Sequence, residues 1–198
     1  MNIYLASKSP RRKELLINLG FKVSILPSDI DESIRKGETD KDYLKRIVSA
    51  KANKALLKIG HIRANELLIS ADTIVVKNNK IYLKPRNKKE AKSMLLDFSN
   101  SNHFVKTAFQ IISNKKIYYK TISTKVFFGL VDFESLEEYL SKDEWHDKSG
   151  AYAIQGFARR WIKKINGSYD NVVGLPSADI FRLIKKITDQ APGHDAQP

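Results

Sequence analysis

The chain has 198 residues, of which 42% are hydrophobic and 29% charged, enough for one sizeable core beneath a solvated surface. It contains no cysteine, which excludes disulfides and thiolate metal sites. The formal net charge of +13 predicts attraction to a polyanion, either nucleotide phosphates or a nucleic acid. Scattered surface lysines account for much of this charge, so charge alone does not choose between the two.

The apolar stretches of the sequence are short. None approaches the roughly 18 residues that cross a bilayer. The stretch at residues 3–6 is too short for the core of a secretion signal, and no basic segment precedes it. The sequence therefore predicts a soluble, cytoplasmic protein.

Strands and helices alternate in the first half of the chain. Leu15, Leu16 and Leu19 share one helical face, and Gly20 follows as a stop. Thr39 and Asp42 form a capping pair for a second helix. The predicted elements are a strand at 3–6, a helix at 11–19, a strand at 21–26, a helix from the cap to about 58, a buried strand at 67–76, a hairpin strand at 81–83 and a helix at 88–98.

The second half is richer in strands. Long strands are predicted at 103–113 and 117–128 with a turn at 114–115, then a helix at 134–140, strand-like stretches at 151–154 and 161–165, and a last helix from Pro176 to about 187. The mixture predicts an α/β fold with a mixed sheet. Residues 1–188 are expected to form one domain, and the polar residues 189–198 a disordered tail.

Asp72 lies within the apolar strand at 67–76. A carboxylate at a buried position costs several kcal/mol unless it is paired, hydrogen-bonded or bound to a cation. Such positions are common in active sites, where a base or a cation ligand is needed. The alternative is a residue at the end of the strand that caps a turn.

A polar segment, residues 7–12, joins the first strand to the first helix. The free N–H groups of such a turn can bind an anion, and the hydroxyls of Ser7 and Ser9 with the guanidinium groups of Arg11 and Arg12 would strengthen the site. The alternative is ordinary capping by Ser9 with exposed arginines. No Walker A sequence occurs, which argues against a P-loop fold.

Weaker signals lie elsewhere in the chain. Lys51 and Lys84 are candidate point charges for phosphate. Gly150 and Gly156 flank a small apolar stretch that would allow close approach of a ligand, and Gln155 could read a base edge. The four histidines share no metal-binding spacing, so any metal would be Mg²⁺ or Mn²⁺ on oxygen ligands.

Taken in order, these blocks resemble the Maf family of nucleotide pyrophosphatases. The matching blocks are residues 5–12, 71–73, 84–85, 147–152 with 154–156, and 165–169 leading to 173–176. The resemblance extends from about residue 3 to 187. It implies a two-lobed mixed sheet flanked by helices, similar to inosine triphosphate pyrophosphatases, with the active site in the cleft between the lobes.

The resemblance also implies an activity, the metal-dependent cleavage of a nucleoside triphosphate to a monophosphate and pyrophosphate. Such an enzyme removes unwanted nucleotides from the pool, often as a homodimer. Asp72 takes the position of the family's proton acceptor. Phosphate and metal roles fall on Ser7, Ser9, Arg12, Glu32, Lys51 and Lys84. Asp72 would share the metal with Glu32, and Glu144 and Asp147 are weaker candidate ligands.

Three further positions resemble the branch of the family that acts on dTTP and UTP, namely Arg11, Thr73 and Gln155. The branch that acts on methylated GTP typically has Trp at the position of Arg11 and Gln at the position of Thr73. The chain departs from the family pattern at Leu83, Asn100, Asp143 and Ser149, none of which is the proposed base.

A basic nucleic-acid-binding protein, or a regulator of cell division with little catalysis, is the alternative from another functional class. Nucleic-acid binding would need a basic face interleaved with exposed aromatic side chains. The aromatic residues lie largely in apolar strand patterns, as at Tyr118, Tyr119, Phe127 and Phe128, which favours a place in the core.

Overall fold

The computed structural model describes residues 1–114 and 116–189. Lys115, in the predicted turn at 114–115, lies outside the described residues. The predicted tail also lies outside them, except that Asp189 is the last residue of the final helix.

Six helices and seven strands make up the described part of the fold. In chain order they are β1 Asn2–Leu5, α1 Pro10–Asn18, β2 Lys22–Ile25, α2 Asp40–Ile59, β3 Glu66–Lys77, β4 Lys80–Tyr82, α3 Lys88–Phe98, β5 Asn102–Ile112, β6 Ile117–Phe128, α4 Phe133–Ser141, β7 Ile162–Asn166, α5 Tyr169–Val173 and α6 Ser177–Asp189. Short 3₁₀ turns lie at Ser149–Ala151 and Phe157–Trp161. No helix among these is long and apolar enough to cross a membrane.

The strands form one mixed sheet in the order β2-β1-β3-β5-β6-β7, with β4 paired to β3. β1 runs parallel to β2 and to β3, and the other pairings are antiparallel. β3 is an inner strand between β1 and β5, and its side chains are buried on both faces along nearly its whole length, as its apolar sequence predicts. The predicted α/β fold with helices flanking a mixed sheet is confirmed.

One edge of β3 is open in its middle. β1 pairs with β3 only as far as Ile69, and β4 begins to pair at Val75. On this side, residues 70–74 have no strand partner within the described chain. Hydrophobic clusters lie on both sides of the interruption, one with Leu5 and Ile69 and the other with Val75 and Phe98. The interruption therefore leaves space for a cleft between two packed halves.

The local signals in the first half of the sequence correspond to observed contacts. The hydroxyl of Thr39 accepts the Asp42 N–H at 3.2 Å and caps α2, as predicted. The residues predicted to face inward from this helix are buried, namely Tyr43, Leu44, Ile47, Val48 and Ala55. Asn78 and Asn79 have φ of 48° and 60°, as a tight hairpin turn requires.

The predicted strand at 151–154 is wrong. Gly150 and Ala151 lie within the 3₁₀ turn Ser149–Ala151 and have φ of 72° and 63°. No strand follows this turn before β7. A Cβ on Gly150 would lie 2.7 Å from Val75 Cγ2, so this loop packs its backbone directly on β3. The short helix α5 was not predicted. The expectation that aromatic residues of β6 are core holds for Phe128 but not for Tyr119, which is 41% exposed.

His103 is buried among aromatic rings in the half of the core that contains α3. Its Nε2 lies 2.7 Å from the Tyr152 hydroxyl oxygen, and the rings of Phe98 and Phe128 pack beside it. Burial lowers the pKa of His103 to about 3, and the charge of Lys77 acts in the same direction. The folded protein therefore keeps this imidazole neutral.

Acid should destabilise the fold through His103. The unfolded chain takes up its proton near the ordinary pKa of 6.5 and the folded chain only near 3, so stability falls as pH falls through that window. We expect wild type to lose about 2 kcal/mol more than His103→Leu between about pH 7.5 and about pH 5 in urea unfolding. The exposed His61→Leu should follow wild type. Parallel pH profiles for wild type and His103→Leu would contradict this account.

Candidate functional site

A cleft of about 750 Å³ opens at the interruption beside β3. Its walls come from the β1–α1 turn, residues 28–33, α2, β3, residues 83–84, the 147–155 loop and the end of α5. The sequence-predicted residues that line it are Ser7, Ser9, Arg11, Arg12, Glu32, Lys51, Asp72, Thr73, Lys84, Asp147 and Gln155. Residues far apart in sequence thus meet in one concave site.

Glu144 is absent from the lining of the cleft. Its Oε2 accepts the Phe157 N–H at 2.9 Å, and the carboxylate lies against Gly156. The carboxylate therefore fixes the turn that follows Gln155. This position separates it from the other sequence-predicted carboxylates.

Asp72 is a buried carboxylate in the middle of β3, and the alternative of a residue at the end of the strand is wrong. Lys51 extends from α2, with its Nζ 2.6 Å from Asp72 Oδ1 and 2.7 Å from Glu32 Oε1. One ammonium thus joins two carboxylates. This pairing supplies the compensation that a buried carboxylate needs.

Glu32 is ionised in this arrangement. Burial alone would raise its pKa, but the charge of Lys51 and its hydrogen bond outweigh that effect, and Lys84 and Arg12 act in the same direction. The net result is a lowered pKa. Together with Asp72, this side chain offers negatively charged oxygen to the cleft.

Arg12 is buried, contrary to the alternative of exposed arginines. Its Nε donates to the Gly174 carbonyl at 2.9 Å, its Nη1 to the Ser7 hydroxyl at 3.1 Å and its Nη2 to the Thr73 hydroxyl at 2.9 Å. Burial lowers its pKa, and the charge of Asp72 opposes that shift. Ser9 fulfils the capping alternative, since its hydroxyl accepts the Arg12 N–H at 3.4 Å.

Thr73 lies on the face of β3 opposite Asp72, because side chains alternate along a strand. Its hydroxyl lies 2.9 Å from the Thr107 hydroxyl and 3.3 Å from the Gly174 carbonyl, in addition to its contact with Arg12. Neighbouring residues of β3 therefore fix two cations, Lys51 on one face and Arg12 on the other.

Lys148 and Ser149 were not predicted as site residues, although both line the cleft. Burial lowers the pKa of Lys148, and nearby Arg11 acts in the same direction. The Ser149 hydroxyl donates to the Thr73 carbonyl at 2.7 Å, on the open edge of β3. Their place beside Asp147, in a block that resembles the family, was the signal that could have identified them.

The charged side chains of the cleft carry an excess of two positive charges. Six cations line it, Lys8, Arg11, Arg12, Lys51, Lys84 and Lys148, against four acids, Asp29, Glu32, Asp72 and Asp147. Lys8 pairs with the exposed Asp29, and Lys51 pairs with Glu32 and with the buried Asp72. The remaining cations favour a polyanionic ligand.

The cleft offers oxygen ligands of the kind that a hard cation requires. Within residues 1–114 and 116–189, no group of three or more His, Cys, Asp or Glu side chains could hold a metal alone. Glu32 and Asp72 supply two carboxylates joined by Lys51. Mg²⁺ characteristically takes one or two protein carboxylates and completes its shell with water and substrate phosphates, so the residues present fit such an ion.

Comparison with known proteins shows close relatives across nearly the whole chain. A protein of Caldanaerobacter subterraneus subsp. tengcongensis named dTTP/UTP pyrophosphatase is 40% identical over 94% of this chain and 89% of its own. A Treponema denticola protein of the same name is 40% identical over 93% and 96%. The Staphylococcus aureus Ham1 protein superposes over 65% of this chain and 71% of its own at 14% identity, with a TM-score of 0.42, too low to bear on the site. The family described as Maf-like protein matches residues 2–187, and the chain belongs to the Maf family.

Proposed function

We propose that this protein hydrolyses nucleoside triphosphates, with dTTP and UTP preferred, to the monophosphate and pyrophosphate, and so clears nucleotides from the pool. The observation that carries the proposal is the buried Asp72 in a cleft with excess positive charge. The relatives named dTTP/UTP pyrophosphatase support the choice of nucleotide.

In this proposal Asp72 is the base. Lys51 binds its Oδ1, while Oδ2 accepts no hydrogen bond from the described residues and can take a proton from water. The water oxygen forms a bond to the α-phosphorus as the bond from that phosphorus to the bridging oxygen breaks. Pyrophosphate leaves, and Asp72 holds the proton.

The cations of the cleft stabilise charge on the substrate. Arg12, Lys51 and Lys84 line the cleft and would neutralise phosphate oxygens, and the neighbouring Lys148 adds a fourth cation. Ser7 and Ser9 contribute at the turn before α1. Mg²⁺ or Mn²⁺, held by Glu32 and Asp72, would supply further neutralisation of the phosphates. Asp147 stays a weaker candidate ligand, whereas Glu144 is left out because it does not line the cleft.

The preference for a pyrimidine is assigned to Arg11, Thr73 and Gln155. Gln155 is exposed within the cleft, and its amide carries both donors and an acceptor for the edge of uracil or thymine. Thr73 would act mainly through Arg12, since its hydroxyl already bonds that guanidinium. A site built on such contacts rejects bases that leave them unpaired.

A panel of nucleotides tests the proposal. With Mg²⁺ or Mn²⁺ we expect pyrophosphate from dTTP and UTP at kcat/KM values at least about tenfold above those for GTP and methylated GTP. Release of orthophosphate, or faster cleavage of the guanine nucleotides, would count against it. Modified pyrimidine nucleotides should follow dTTP and UTP.

A cytoplasmic location and a homodimer complete the proposal. Light scattering at micromolar protein concentration tests the second point, and a monomeric mass would remove it. No observation favours the nucleic-acid-binding or cell-division alternative, because cations such as Lys84 and Lys148 converge in a concave cleft.

A further inference from the structure

Lys51 occupies the position between the two carboxylates that would hold a divalent cation. Its Nζ contacts one oxygen of each, at 2.6 Å and 2.7 Å, and its side chain is only 8% exposed. The Lys51–Asp72 pair is not a mobile surface pair, since both side chains are largely removed from water, with that of Asp72 10% exposed, whereas the Glu32 side chain is 36% exposed.

Hydrogen bonds between separate segments of the chain hold the backbone at Lys51 and at Glu32 in place. The Lys51 carbonyl, within α2, accepts the Ser28 hydroxyl at 3.0 Å, and the Tyr43 hydroxyl donates to the Glu32 carbonyl at 3.0 Å. The segment that carries Glu32 is therefore fastened to the same helix as the lysine. The fold thus forms a site for a cation between Glu32 and Asp72, and the ammonium group of Lys51 occupies that site.

We propose that Lys51 excludes divalent metal from the nucleotide-free protein, so that the ion enters only together with the triphosphate. The proposal rests on the proposed function, which assigns the metal to Glu32 and Asp72. An ammonium and a divalent ion that share these carboxylates repel one another strongly at a separation of a few Å.

The nucleotide removes this conflict. A free ion would displace the buried Lys51 ammonium without giving it a new partner, and an uncompensated buried charge is costly. A triphosphate offers phosphate oxygens to the displaced ammonium at the same moment. Entry of the complex therefore exchanges one charge-paired arrangement for another.

Titration with Mn²⁺, read from the electron paramagnetic resonance signal of the free ion, tests this order of binding. The wild-type protein alone should bind Mn²⁺ at least about tenfold more weakly than with an α,β-imido analogue of dUTP present, after correction for the analogue's own affinity. Lys51→Met should bind Mn²⁺ without the analogue at least about tenfold more tightly than wild type.

Lys54→Met is the matched control, because it removes the same charge from the exposed side of the same helix, where Lys54 donates to the Asp29 carbonyl. It should stay within about threefold of wild type. Lys51→Met is expected to be less stable, and added Mn²⁺ should raise its Tm more than that of wild type. This larger rise in Tm is a second measure of Mn²⁺ binding, and it can be used even if the variant is less stable than wild type.

Tight Mn²⁺ binding by wild type without nucleotide overturns the proposal, even if Lys51→Met fails to fold. Unchanged or weaker affinity in folded Lys51→Met overturns it as well. Either result leaves hydrolysis of dTTP and UTP by wild type intact. Failure of the proposed function would instead appear as a wild-type protein that hydrolyses no nucleotide and binds no Mn²⁺ beyond that held by the analogue.

Discussion

Asp72→Asn is expected to lower kcat for dTTP by about 10³-fold or more, because it keeps the shape of the side chain but removes the proton acceptor. The measurement is steady-state release of pyrophosphate at saturating nucleotide. KM should change much less than kcat, because Lys51 keeps its contact with Glu32 and the other cations of the cleft remain.

Asp29→Asn is the control for this experiment. Asp29 lines the same cleft but is exposed, and it pairs with Lys8 rather than with a buried cation. It should keep kcat within about threefold of wild type, as expected for an exposed ion pair. Turnover by Asp72→Asn close to that of wild type, in a protein with an unchanged thermal transition, would remove Asp72 as the base.

The second large effect is expected at Arg12. Replacement by Ala removes a cation from the cleft and leaves the Ser7 and Thr73 hydroxyls and the Gly174 carbonyl without this donor. We expect kcat/KM to fall about 10²- to 10³-fold. The free energy of unfolding should fall by about 2 kcal/mol or more, because buried acceptors lose their partner.

Arg12→Lys separates charge from geometry. A lysine restores the positive charge, but a single ammonium cannot reproduce the planar fork that reaches three separate acceptors. We expect it to recover no more than about tenfold of the lost kcat/KM. Wild-type kinetics and stability in Arg12→Ala would show that the guanidinium contacts contribute nothing to the site.

Sequence patterns predicted the elements that build the scaffold. The inward face of α2 follows from the spacing of residues such as Leu44 and Ile47, and the burial of β3 follows from its continuous apolar run. Both are local properties, set by how apolar side chains repeat along one helix or strand. The sequence alone also indicates that burying Asp72 within such a run is energetically costly.

Long-range contacts could not be predicted in the same way. The ion pair between Lys51 and Asp72 joins residues 21 apart, and the bond from Arg12 to the Gly174 carbonyl joins residues 162 apart. Residues 151–154 of the 147–155 loop were predicted as a strand because small residues there fit a strand pattern, whereas the backbone at Gly150 packs against Val75. These contacts and the loop conformation depend on tertiary packing, which the local sequence pattern does not specify.

Hydrolysis of dTTP in oxygen-18-labelled water tests the central claim most directly, since that claim is attack by water on the α-phosphorus. Mass spectrometry of the separated products should place the label in thymidine monophosphate, with none in pyrophosphate beyond background exchange. Label in the pyrophosphate would place the attack on the β-phosphorus and contradict the proposed mechanism.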